Sequence, residues 1–133
     1  MSDQTTIRVI LVDDHPVVRF GLAAIIGLQP DMAVVAEAGS GEEACAVCAK
    51  RAADVVLMDL YMPRRNGVAT IRDLRAEFPG VVIVAMSGDA GAIWQDALAE
   101  ARAAGAQLTL RKPIEPWVLL RTFEGLMAAR RSA

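Results

Sequence analysis

Short, dense apolar runs alternate with amphipathic stretches along the whole chain. "IRVILV" (7–12) is rich in β-branched residues, the mark of a strand. Behind it, Pro16 suits a first helical turn, and Val18, Leu22 and Ile25 fall on one helical face. The pattern then repeats. "AVVAEA" (33–38) predicts a second strand, Gly39-Ser40-Gly41 a turn, and the Ala-rich stretch 42–52 a helix. "DVVLM" (54–58) predicts a third strand, followed by a helix from about Gly67 to Phe78 that Pro79-Gly80 closes. "VVIVAM" (81–86) predicts a fourth, followed by a long Ala-rich helix ending before Gly105. "AQLTL" (106–110) predicts a shorter fifth strand. After Pro113, a helix with Leu119, Phe123 and Leu126 on one face runs to Arg130.

Five strand–helix units in succession imply an α/β, doubly wound parallel sheet with helices on both faces. Runs one, three and four are apolar almost throughout, as central parallel strands are. No repeat, linker or low-complexity tract divides the chain, so 1–133 reads as a single domain with its core at about 7–130. In such sheets ligands bind beyond the carboxyl ends of the strands. Asp59 ends the third run, so its side chain is expected to be buried along its approach and exposed at its tip. Run one ends in Asp13-Asp14, run four in Ser87-Gly88, and run five leads through Arg111 to Lys112-Pro113. Lys112 is one of two lysines beside twelve arginines, which marks a place for a compact point charge.

Three carboxylates at one edge raise one another's pKa unless a cation intervenes. Hard oxygen donors favour Mg²⁺, which takes one or two carboxylates together with phosphate oxygens; Mn²⁺ is an acceptable substitute. Lys112 can neutralise a further anionic oxygen and Ser87 can donate to another, which together make a receptor for a phosphoryl group in transfer. Asp59 is then the natural nucleophile. Each residue alone has a plainer reading, as helix cap, turn or solvated loop. Their convergence on one edge favours the functional one.

Composition changes the picture little. A chain of 133 residues, 54% hydrophobic and 23% charged, suits one globular domain. A net charge of −2 gives no reason to expect a polyanionic partner. No apolar run approaches the ~18 residues of a membrane span. The N-terminus lacks the basic start of a signal peptide, so a cytoplasmic protein is expected. Cys45 and Cys48 lie mid-helix with no further soft ligands near them in sequence, and read as small, half-buried helix residues. The single histidine, His15, is either a metal ligand beside Asp13-Asp14 or, the better reading, a loop residue at a helix start.

The motifs "VDDHP", "VVLMDLYMPRRNG", "AMSG" and "RKP" together resemble the receiver domain of two-component response regulators. The opening "DDHPVVRFGL" is most similar to receivers that precede helix-turn-helix DNA-binding domains. The resemblance implies a flavodoxin-like five-stranded sheet in the order 2-1-3-4-5 with five helices. It implies phosphoryl transfer to Asp59 from a partner histidine kinase or phosphotransfer protein. Asp14, Asp59 and the backbone carbonyl of Tyr61 would ligate Mg²⁺, and Asp13 would act through water. Ser87 and Lys112 would hold the phosphoryl group, and Lys112–Pro113 would be cis. Such a protein is a switch rather than an enzyme, with self-phosphorylation from small donors and slow autodephosphorylation. Side chains at Tyr61 and Asp89 would tune that rate.

Several features depart from the family's pattern. The switch position three residues before the lysine is usually aromatic and here is Thr109, so its coupling to Ser87 is weakened or built differently. The segment from Ser87 to Lys112 is longer by a few residues. Arg64 and Arg65 either attract a phosphodonor or form a solvated loop. A pseudo-receiver acting by binding alone is the alternative, against which the intact acidic set stands. A haloacid-dehalogenase-like phosphatase would need D-x-D on strand one, where this chain has adjacent aspartates. No DNA-binding motif follows Arg130, which is expected of a stand-alone receiver or of one excised from a longer regulator. The chain itself is expected to touch neither nucleic acid nor membrane. Trp117 and Leu120 either mark a partner or dimer surface or are scattered surface apolars, and the fourth and fifth helices offer a homodimer face.

Overall fold

The computed structural model describes residues 6–60, 67–88 and 92–132. Five parallel strands form one sheet: β1 (Ile7–Val12), β2 (Met32–Ala38), β3 (Val55–Asp59), β4 (Val82–Ser87) and β5 (Leu108–Arg111). Their order is β2-β1-β3-β4-β5. The connecting helices are α1 (Pro16–Gly27), α2 (Gly41–Lys50), α3 (Gly67–Glu77), α4 (Ala92–Ala104) and α5 (Pro116–Ser132). The expected architecture and strand order are both present.

Strand alternation divides the interior into two cores. Val9, Leu11, Val55, Leu57, Val84 and Met86 face α1 and α5, where they meet Leu22, Ile26, Leu119 and Phe123. Ile10, Val12, Val56, Met58, Ile83 and Ala85 face α2, α3 and α4. Every residue of β3 and β4 is buried, which is why those runs carry no polar alternation.

Element boundaries differ from the sequence pattern where capping sets them. Ser40 accepts from the Glu43 N–H at 3.1 Å while Glu43 Oε1 accepts from the Gly39 N–H at 2.6 Å. This reciprocal cap starts α2 at Gly41. At the end of α4, Gly105 takes φ +127° and the N–H groups of Gly105 and Ala106 both return to Ala101 O. That closure uses Ala106, so β5 begins at Leu108 rather than at 106.

Arg75, on the last turn of α3, ties three segments together. Its Nη1 donates to the carbonyls of Pro79 (2.9 Å) and Val81 (2.7 Å). Its Nη2 donates to Gly105 O (2.9 Å) and Gln107 Oε1 (2.8 Å). Gln107 Oε1 also accepts from the Ile83 N–H at 2.8 Å, so the starts of β4 and β5 share one amide oxygen.

Candidate functional site

Strand register brings the carboxyl ends into line. Val12 lies beside Met58, Asp59 beside Met86, and Ser87 beside Arg111. One residue past each pairing, the Asp13 N–H reaches Ala38 O, the Leu60 N–H reaches Met86 O and the Lys112 N–H reaches Ser87 O. The backbone ladder therefore carries Asp13, Asp59, Ser87 and Lys112 to one edge.

There they meet. Lys112 Nζ lies 2.7 Å from Asp13 Oδ2 and 3.3 Å from Asp59 Oδ2. Asp13 Oδ1 accepts from the His15 N–H at 2.9 Å and lies 2.9 Å from His15 Nδ1. Asp14 Oδ1 lies 3.1 Å from the same ring nitrogen. One ligand atom from each of Asp13, Asp14, His15 and Asp59 can be chosen so that all lie within 4.8 Å of one another. Asp13 and Ser87 are fully buried, and Lys112 keeps only its outer part in solvent.

Asp59 departs from expectation. Its residue is 2% exposed, so the tip is not open to solvent. The Lys112 ammonium lies 3.3 Å from its Oδ2, and the start of α3 lies against its backbone. Gly67 makes that start fit: a Cβ there would sit 2.7 Å from both Asp59 O and Leu60 Cα.

Charges respond to this packing. Burial pushes the Asp13 carboxyl upward, but hydrogen bonds from Lys112 and from the His15 backbone and ring outweigh it and hold it below the usual carboxylate value. Burial pulls Lys112 down, but the hydrogen bond to Asp13 and the charge of Asp59 outweigh it, and its pKa is raised. The His15 ring is raised, first by its hydrogen bond to Asp13 and then by the charges of Asp14 and Asp13.

The donor set fits a hard divalent cation. Asp14 Oδ1 is buried with no hydrogen-bond partner among the described residues, a position costly for a carboxylate oxygen unless a cation takes it. Tyr61, Arg64, Arg65 and Asp89 lie outside the described residues. Thr109 is half-buried and pairs with Ala85, two residues before Ser87 and hence on the same face of the sheet. The Lys112–Pro113 bond is cis. Cys45 is half-buried and Cys48 buried, and neither forms a disulfide, in keeping with the structural reading.

One residue of the site escaped the sequence pattern. Arg19, on the second turn of α1, donates through Nη1 to the Asp13 carbonyl and through Nε to Glu37 Oε1 at 3.1 Å. It braces the backbone that presents both β1 aspartates. Nothing in its spacing distinguishes it from a solvated surface arginine until β2 places Glu37 beside it. An apolar groove of about 500 Å³ runs from Val17 and Gly21 past Met86 to Lys112 and Ile114, alongside the pocket.

A 2-1-3-4-5 parallel sheet with acid, lysine and hydroxyl gathered at its carboxyl edge is the arrangement of a signalling receiver domain. Residues 9–124 match the response regulator receiver domain family, and the chain belongs to that family. It is 35% identical over 123 residues to the nitrate/nitrite response regulator protein NarL of Escherichia coli K12, covering 91% of this chain and 55% of that protein. It is 35% identical over 127 residues to the DNA-binding transcriptional activator DevR/DosR of Mycobacterium tuberculosis, covering 93% and 56%. The chain thus spans about half the length of these two relatives. A LuxR-family two-component response regulator from Aurantimonas sp. SI85-9A1 superposes with TM-score 0.83 at 33% identity, covering 93% of this chain and 86% of that one. A CheY-like receiver from Methanospirillum hungatei JF-1 shares the fold at TM-score 0.87 and 20% identity, covering 96% and 98%. No helix among the described residues is long and apolar enough to cross a membrane.

Proposed function

We propose that the chain is one receiver domain that accepts a phosphoryl group on Asp59 and changes conformation in response. The observation that carries the reading is the Asp13–Lys112–Asp59 contact: an ammonium held 3.3 Å from a buried carboxylate by a second carboxylate. A structural salt bridge would need one acid. Two acids on one lysine, with a third beside them, leave excess negative charge that a divalent cation offsets.

In this reading Asp14, Asp59 and the Tyr61 carbonyl would hold Mg²⁺ or Mn²⁺, and Asp13 would act through water. The cation, when bound, neutralises phosphoryl oxygens and so lets two anions approach. The chain's own residues do the rest. An Asp59 carboxylate oxygen attacks phosphorus, the phosphorus–nitrogen bond of a phosphohistidine breaks, and its electron pair leaves with the imidazole. Lys112 moves from the Asp59 carboxylate to a phosphoryl oxygen while remaining bound to Asp13. Ser87, buried at the end of β4, donates its hydroxyl to another oxygen. With Thr109 in place of a large ring, that movement propagates through β4 and β5 without an aromatic side chain to swing behind it.

The partner in this reading is a histidine kinase or phosphotransfer protein that reaches the pocket over α1. Val17 and Phe20 are exposed there, at 83% and 76%, beside the apolar groove. Hydrolysis of the acyl phosphate returns the switch, at a rate set by side chains at Tyr61 and Asp89. In this reading the switch controls a partner protein or an output domain.

Acetyl phosphate with Mg²⁺ tests the reading. Intact-mass measurement is expected to show one added phosphoryl group, lost when Mg²⁺ is chelated and absent in Asp59→Asn. An unmodified wild-type protein under those conditions would point instead to a receiver that signals by binding alone.

A further inference from the structure

Among the described pocket residues, His15 is the one whose role the phosphoryl reading leaves open. It occupies the N-cap of α1, yet its side chain makes no capping hydrogen bond. The ring is 61% exposed, but Nδ1 turns inward, 2.9 Å from Asp13 Oδ1 and 3.1 Å from Asp14 Oδ1. Its backbone is held in place, because the His15 N–H donates to Asp13 Oδ1 and Pro16 follows as the first helical residue. The ring is therefore presented to the acids by a fixed main chain.

The spacing of these atoms has a chemical meaning. An octahedral ion with bonds of about 2.1 Å sets neighbouring donors about 3 Å apart. Nδ1 already stands at that separation from each of the two carboxylate oxygens. Mg²⁺ takes oxygen donors and gains little from an imidazole, whereas first-row transition ions bind imidazole well, with affinity rising from Mn²⁺ towards Ni²⁺.

We propose that His15 Nδ1 is a nitrogen ligand to first-row transition ions in this pocket, which therefore binds Mn²⁺ and Ni²⁺ in preference to Mg²⁺. The inference rests on the metal-dependent reading above and extends it to ion selectivity. Without the ion, the ring nitrogen lies within hydrogen-bond distance of Asp13; a transition ion held by Asp14 would take Nδ1 as a further ligand. Mg²⁺ uses the oxygen donors alone and leaves the ring where it is.

The chain contains a single histidine, so an imidazole signal from untagged protein can come only from this ring. The test is calorimetric titration of Mg²⁺, Mn²⁺ and Ni²⁺ into untagged wild-type protein and His15→Gln, with pulsed EPR of the Mn²⁺ complexes. The expected result is ¹⁴N modulation on Mn²⁺ in the wild type and none in His15→Gln. The variant should keep its Mg²⁺ affinity within about twofold and lose Ni²⁺ affinity by about tenfold or more. Mg²⁺ binding together with Mn²⁺ that shows no nitrogen coupling overturns the inference alone. So does an equal loss of Mg²⁺ and Ni²⁺ affinity in the variant. Failure of every ion to bind the wild type overturns the metal-dependent reading as well.

Discussion

Gly67 and Asp59 illustrate how closely the pocket is built at the residue scale. A methyl group at Gly67 meets main-chain atoms at 2.7 Å, and backbone cannot swing aside as a flexible side chain can. Gly67→Ala is expected to lower stability by about 1–3 kcal/mol, read as a drop in the urea midpoint at constant slope. An unchanged midpoint would mean that α3 starts elsewhere. Cys48 offers a second check. Burial pushes its thiol up to about 11, so almost no thiolate exists at neutral pH. Iodoacetamide is expected to spare Cys48 in the native protein and to alkylate it in denaturant; native labelling would contradict its burial. Asp13, Asp14, Asp59, Ser87 and Lys112 were legible because each follows an apolar run, and strand ends in a parallel sheet share an edge. The burial of Asp59 was not, since it depends on where a lysine more than fifty residues away lays its ammonium. Arg19 was not legible for a related reason: it bonds to a main-chain carbonyl, and carbonyls leave no trace in a pattern of side chains.

At the scale of elements, alternation and caps did the work in different proportions. Short, dense apolar runs located the five strands, and β1 occupies the whole of the run that marks it. Ends drifted where hydrogen bonds rather than hydrophobicity set them, as at the Ser40–Glu43 cap and the Gly105 closure. The Arg75 tether belongs to this scale, because it joins α3, the start of β4 and the turn before β5 through four hydrogen bonds. Arg75→Met keeps the aliphatic stem and removes the guanidinium. It is expected to cost about 1.5–3 kcal/mol by thermal or urea unfolding, since carbonyls that had a charged donor lose it. Phe123 anchors α5 with no exposed surface. Phe123→Ala is expected to cost about 3–5 kcal/mol, a loss large enough to loosen α5 from the sheet.

The whole molecule is a sheet that concentrates negative charge at one edge and compensates it only in part. A ligand that binds the folded state alone stabilises it by mass action, by about 2.7 kcal/mol at a hundred times its dissociation constant. Saturating Mg²⁺ is therefore expected to raise the melting temperature of the wild type. Asp14→Asn should remove most of that rise while leaving the metal-free melting temperature nearly unchanged. Calorimetric scans with and without Mg²⁺ decide it, and an identical response in both proteins would place the ion elsewhere.

The Lys112–Asp13 bond spans 99 residues of chain. It joins the end of the first strand to the link that follows the last, across the two strands, β3 and β4, that separate them in the sheet. A fragment that stops short of Lys112 lacks the ammonium that Asp13 and Asp59 share. The closed contact therefore reports that the chain has been made at least as far as that residue and that the link after β5 has folded back onto β1.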